Sequence, residues 1–179
     1  MSTAADVDSL LRMMPPPEDG GTVVDWPRMA ESWGRPFPPD YQRFMEVYGA
    51  GVVQDFLVIL RPEPKAPTTQ FDGMLVETAN AEDTWQDVYK APELEGASPL
   101  LITWGVAASA DLMCWDASSD DPDEWPILVF NRGEIQFDRY NCGMAAFLTG
   151  VLREDFPKCP LSDVTLWGRG EASFRKSRQ

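Results

Sequence analysis

Five carboxylates fall within nine residues, Asp116, Asp120, Asp121, Asp123 and Glu124, with no base among them and a tryptophan on each flank, Trp115 and Trp125. Oxygen ligands at that density raise calcium first. The spacing does not fit: a helix–loop–helix calcium loop needs acids at alternating positions, a central glycine and a terminal glutamate. Two readings stay open. In one the stretch is a solvated hairpin loop, since runs of like charge repel one another and face water. In the other it binds a partner, its field attracting a cationic protein while Trp115 or Trp125 supplies an apolar anchor, because tryptophan is enriched where binding energy concentrates. Both indoles suit core positions at strand ends equally well.

The rest of the inventory narrows the chemistry. The chain has no histidine. That excludes a Ser-His-Asp or Cys-His nucleophile and removes the commonest ligand of zinc, copper and non-haem iron. The three cysteines, Cys114, Cys142 and Cys159, have no paired spacing and read as inert thiols. There is no G-x-G-x-x-G after a strand and no phosphate loop. We therefore expect no enzyme activity, no catalytic residue, no metal, no cofactor and no small-molecule substrate. A second acidic stretch, Asp72, Glu77, Glu82, Asp83, Asp87, Glu93 and Glu95, is relieved only by Lys90 and reads as a solvated helix face and its exit. The formal net charge is −14. Nucleic acid and anionic membranes are repelled by such a chain, whereas a cationic protein is drawn to it. The basic tail, Arg169, Arg175, Lys176 and Arg178, is expected to fold onto acidic surface or fray.

The elements that must position these groups follow from apolar spacing. With 179 residues, 44% of them hydrophobic, the chain suits one globular domain. No apolar run is long enough to span a bilayer, and the acidic start lacks the basic region of a secretory signal, so a cytoplasmic protein is expected. Val7, Leu10, Leu11 and Met14 mark a first helix, capped by Ser2 or Thr3 and stopped by Pro15-Pro16-Pro17. Asp25 caps a second, through Trp33, that ends at Gly34. Phe37, Tyr41, Phe44, Met45 and Tyr48 put an aromatic face on a third, ended by Gly49 and Gly51. Val52 to Leu60 reads as one strand, followed by a proline-rich loop from Arg61 to Pro67. A helix is expected over Phe71 to Tyr89, with Leu75, Ala79, Trp85, Val88 and Tyr89 inward and Thr69 and Asp72 at capping-box spacing. Strands are expected at Pro99–Trp104, Leu112–Asp116 and Pro126–Phe130, with a return arm at Ile135–Asp138. A last helix carries Met144, Phe147, Leu148, Val151 and Leu152, and a short strand lies near Ala172 to Phe174. Strands in the middle and helices at both ends predict an α+β domain, with a mostly antiparallel central sheet and helices packed on one face. Its parts are an N-terminal helix and proline-rich turn over 1–22, the α+β domain over 23–156 and a basic extension over 157–179.

The ordered set from about Val23 to Phe156 resembles the SUKH superfamily, which groups fungal cell-wall assembly regulators with bacterial toxin-immunity proteins. The resemblance rests on Phe37-Pro38-Pro39-Asp40-Tyr41, on Ile102-Thr103-Trp104-Gly105 followed by Asp111-Leu112-Met113-Cys114-Trp115-Asp116, and on the closing helix with Phe147-Leu148. One departure is that Ala110 stands where the family often has glycine before the acid. The resemblance implies a binding module: an immunity-type protein that neutralises a toxin domain, of nuclease or deaminase type, by occluding its active site. A regulatory interaction module without a toxin, and a carboxylate-dependent enzyme, are the alternatives.

Overall fold

In the computed structural model, residues 3–66 and 73–178 are described. Five helices, α1 (Asp6–Leu11), α2 (Trp26–Trp33), α3 (Pro39–Val47), α4 (Met74–Asp87) and α5 (Met144–Arg153), accompany eight strands. The strands are β1 (Gly51–Val53), β2 (Leu57–Ile59), β3 (Tyr89–Lys90), β4 (Leu101–Ala107), β5 (Leu112–Asp116), β6 (Ile127–Asn131), β7 (Gln136–Tyr140) and β8 (Phe174–Lys176). They form one open sheet in the order β3-β7-β6-β5-β4-β2-β1-β8. Every pairing is antiparallel except that of β3 with β7. The molecule is thus a single α+β domain with a mostly antiparallel sheet.

Alternation along the strands divides the core. Ile102, Trp104, Met113, Trp115, Ile127 and Val129 pack in one layer with the apolar faces of α1, α3 and α5. Leu101, Leu112, Cys114, Leu128, Phe130 and Phe137 point the other way and pack with Ala81 and Trp85 of α4. The helices α3 and α5 share one face of the sheet, as their aromatic stripes require. The expectation that all helices lie on that face needs correcting for α4, which covers the opposite face, because β4, β5 and β6 are buried on both sides and leave a second surface to cover.

The local stops behave as their residue types dictate. Asp25 accepts a hydrogen bond from Arg28 N at the start of α2, and Gly34 closes that helix with φ 76°. Asp40, fully buried, accepts from Tyr41 N in α3 and from Ala145 N in α5, so one carboxylate joins the N-termini of two helices distant in sequence. The turn before β5 forms with Ala110 at φ 67°, an alanine doing what glycine does more readily.

Three expected elements differ. The single strand over Val52 to Leu60 is a hairpin, β1 and β2, turned by Gln54 (φ 52°) and Asp55 (φ 49°). Two consecutive positive φ values make the tight turn that matches strand twist, here without the usual Asn-Gly. The buried face of α4 is Met74, Thr78, Ala81 and Trp85; Ala79 is exposed, and Tyr89 lies beyond the helix, 73% exposed, in β3. The proposed cap, Thr69 and Asp72, falls outside the described residues. Finally, the terminal segments are part of the domain core, since Val7 and Leu10 at one end and Leu161, Leu166 and Ala172 at the other join the same cluster as α3 and α5. The basic tail is ordered as β8, two residues later than expected, with Arg175 paired to Asp55 and Lys176 to Asp19.

Candidate functional site: an acidic end of the sheet

The segment from 116 to 124 is a built loop. It leaves β5 at Asp116, whose Oδ1 accepts from Leu100 N (3.2 Å), Ser118 N (3.1 Å) and Ser118 Oγ (2.5 Å). Ser119 is its hub: the hydroxyl donates to Glu124 Oε2 (2.9 Å) and accepts from Asp121 N (3.2 Å), and the carbonyl accepts from Trp125 Nε1 (2.8 Å). Asp121 accepts from Asp123 N and starts a single 3-10 turn, Pro122–Glu124. From across the fold, Arg35 donates through Nη1 to the carbonyls of Ala117 and Ser119. That guanidinium clamp fixes the loop to the chain between α2 and α3.

Of the expected site residues, Asp120, Asp121 and Glu124 are exposed, whereas Asp116 and Asp123 are partly buried. Asp116 serves the loop's own geometry. The two tryptophans are in the core: Trp115 is 0% exposed and Trp125 2%. Trp115 packs on Tyr41 (ring centroids 4.9 Å), Phe37, Trp104 and Trp125. Neither indole can act as an anchor for a partner, and that expectation is corrected. The reason is register: Trp115 pairs with Ile102 and Ile127, on the face covered by α3 and α5. The sole side-chain hydrogen bond of Trp125 points back into the loop.

Arg35 was not legible as a loop residue. It lies more than eighty residues from Ala117 and carries no local signal. Ser118 and Ser119 were findable, because serine beside acids commonly turns the backbone through its hydroxyl.

Charge is concentrated in one stretch of the chain. Between 66 and 131 the chain has thirteen acids against Lys90 alone, so twelve of its fourteen excess negative charges lie there. Glu82, Asp83 and Asp87 are exposed on α4, and Glu93 and Glu95 are exposed on the segment leading to β4. The segment carrying Glu93 and Glu95 meets the loop where Leu100 N reaches Asp116, whereas Asp87 stands two residues before Tyr89, which pairs with Gln136 toward the other end of the sheet. Lys90 does not offset them through an ion pair; its Nζ lies over the Trp85 ring and donates to Val88 O.

Burial outweighs every other influence on the thiols. Burial pushes Cys114 up to about 12 and Cys142 up to about 11, and the negative charges of Asp40 and Asp6 add to the shift at Cys142. Cys159 is raised for the same first reason, burial. Among the described residues, no three His, Cys, Asp or Glu side chains are grouped to hold a metal ion, and no helix is long and apolar enough to cross a membrane. No family model, curated protein or solved structure matches the chain.

Proposed function

We propose that the chain is an acidic protein-binding module that docks a cationic partner, and that the partner is a toxin domain, of nuclease or deaminase type, whose active site it occludes. The observation that carries this reading is the placement of the charge. Twelve of fourteen excess negative charges lie in the stretch from 66 to 131, whose exposed acids stand on α4, on 93–95 and in the clamped loop. A surface of this kind steers a basic cleft toward it and can stand in for a phosphate backbone. The SUKH-like order of motifs points to the same class of protein, a binder in the cytoplasm.

The test is kinetic. Replacing Asp120, Asp121, Asp123 and Glu124 together by Asn or Gln keeps the loop's acceptors and removes its charge. Asp116 is left in place because three donors depend on it. Against the protein captured from native lysate, surface-plasmon measurements at two ionic strengths should show association slowed at least ~10-fold at low salt, and less at high salt. Association as fast as wild type at low salt would move the interface off the loop, to the exposed acids of α4.

A further inference from the structure

We propose that the cavity between the end of α2, α4 and the start of β4 binds a small monocarboxylate carried on an apolar stem. The cavity measures about 340 Å³, and Trp33, Arg35, Lys65, Leu75, Glu82 and Leu100 are among its walls. That volume is within the range of small-ligand sites, roughly 300–1,000 Å³. Its charge runs against that of the molecule. The chain has 29 acids and 15 bases, yet neither Arg35 nor Lys65 has a carboxylate partner among the described residues, and both face one cavity.

Arg35 is held in place for this. Its Nη1 is fixed on the Ala117 and Ser119 carbonyls, while its Nε is buried and has no acceptor. What the cavity meets is the charge of a guanidinium pinned in place, and a carboxylate is an anion with which arginine forms short, charge-assisted hydrogen bonds. Lys65 stands with Nζ 5.5 Å from the centre of the Trp33 ring, and that ring is itself held by a hydrogen bond from Nε1 to Glu63 O (2.9 Å). Trp33, Leu75 and the half-exposed Leu100 give an apolar wall for the stem. Glu82 is the one acid in the lining, so two cations face one anion, a balance that suits a monoanion over phosphate. This holds whether or not the acidic stretch docks a protein.

The experiment is a titration with 3-phenylpropanoate and, separately, its uncharged amide, followed by the NMR signal of the Trp33 indole N–H, which Trp33→Phe identifies. The acid should shift that signal, with the amide at least ~10-fold weaker. Arg35→Gln should weaken the acid at least ~5-fold, but it also releases the acidic loop. Lys65→Gln leaves the loop untouched and should weaken it by a similar factor, with Lys65→Arg restoring it. The proposal fails if acid and amide shift the signal alike, if neither shifts it at ~5 mM, where even a millimolar binder registers, or if Lys65→Gln binds as wild type.

Discussion

Asp111 and Asp120 carry the same side chain to opposite ends. Asp120 stands in water. Asp111 is fully buried and accepts from Arg132 N (2.8 Å), Ser162 N (3.0 Å) and Ser109 Oγ (2.6 Å), tying the β4–β5 turn, the β6–β7 turn and the C-terminal segment together. Removing a buried acceptor leaves its donors unmet, at roughly 1–3 kcal/mol for each. Asp111→Ala should therefore destabilise by about 3 kcal/mol or more in urea unfolding, whereas Asp120→Asn should stay within about 0.5 kcal/mol. The sequence could not tell these two acids apart, because burial is a property of the three segments that meet at Asp111. The thiols give a second residue-scale expectation. Burial favours their neutral form, so Cys142 titrates near 11 and Cys114 near 12 in the fold, against about 8.5 when unfolded. A group with a raised folded pKa stabilises fully below its unfolded value and loses that contribution as pH climbs to the folded one. Urea midpoints should hold to about pH 8 and then fall through pH 9 to 11. Replacing Cys114 and Cys142 by Ala should flatten that fall.

At the scale of elements, what repeats every three or four residues was legible and what turns was not. The apolar stripes of α3 and α5 place both helices on one layer, because only burial satisfies such a face. Phe44 shows the packing: it stacks on Tyr48 with ring centroids 4.7 Å apart and meets Phe174 of β8 edge-on at 5.8 Å. Phe44→Ala should cost about 3–5 kcal/mol, read as a lowered urea midpoint, and an unchanged melting curve would remove α3 from the core. The hairpin of β1 and β2 escaped the sequence since Gln54 and Asp55 are not residues that advertise positive φ. The inward face of α4 was misjudged by about a residue: Thr78, a polar residue, faces in to accept from Thr103 N, and an apolar count overlooks it. The same bias hid the second layer, since runs such as Ile127–Phe130 read as strands without saying that both their faces are covered.

For the molecule as a whole, charge was countable in the sequence but its distribution was not. Three of the four ion pairs among the described residues are exposed on both sides, the fourth, Lys176–Asp19, only at the aspartate, and exposed pairs contribute little. Self-repulsion along the acidic stretch should then dominate the salt response, so raising ionic strength from about 10 mM to about 200 mM should raise Tm as the repulsion is screened. A Tm that falls over that range would mean attractive pairs outweigh that repulsion. The order of the strands carries a consequence for biosynthesis. β1 is covered on its outer side only by β8, and about 120 residues separate the two along the chain. On a translating ribosome, β2, β4 and the strands after them can pair as they emerge, but β1 presents a bare edge until residues 174–176 have been made. An unpaired edge is a template for other chains. The vulnerable interval therefore lasts until residues 174–176 have emerged. A truncation or fusion that disturbs 174–176 should turn a well-behaved protein into one that precipitates or calls on chaperones, while an equal disturbance of the surface loops would pass unnoticed.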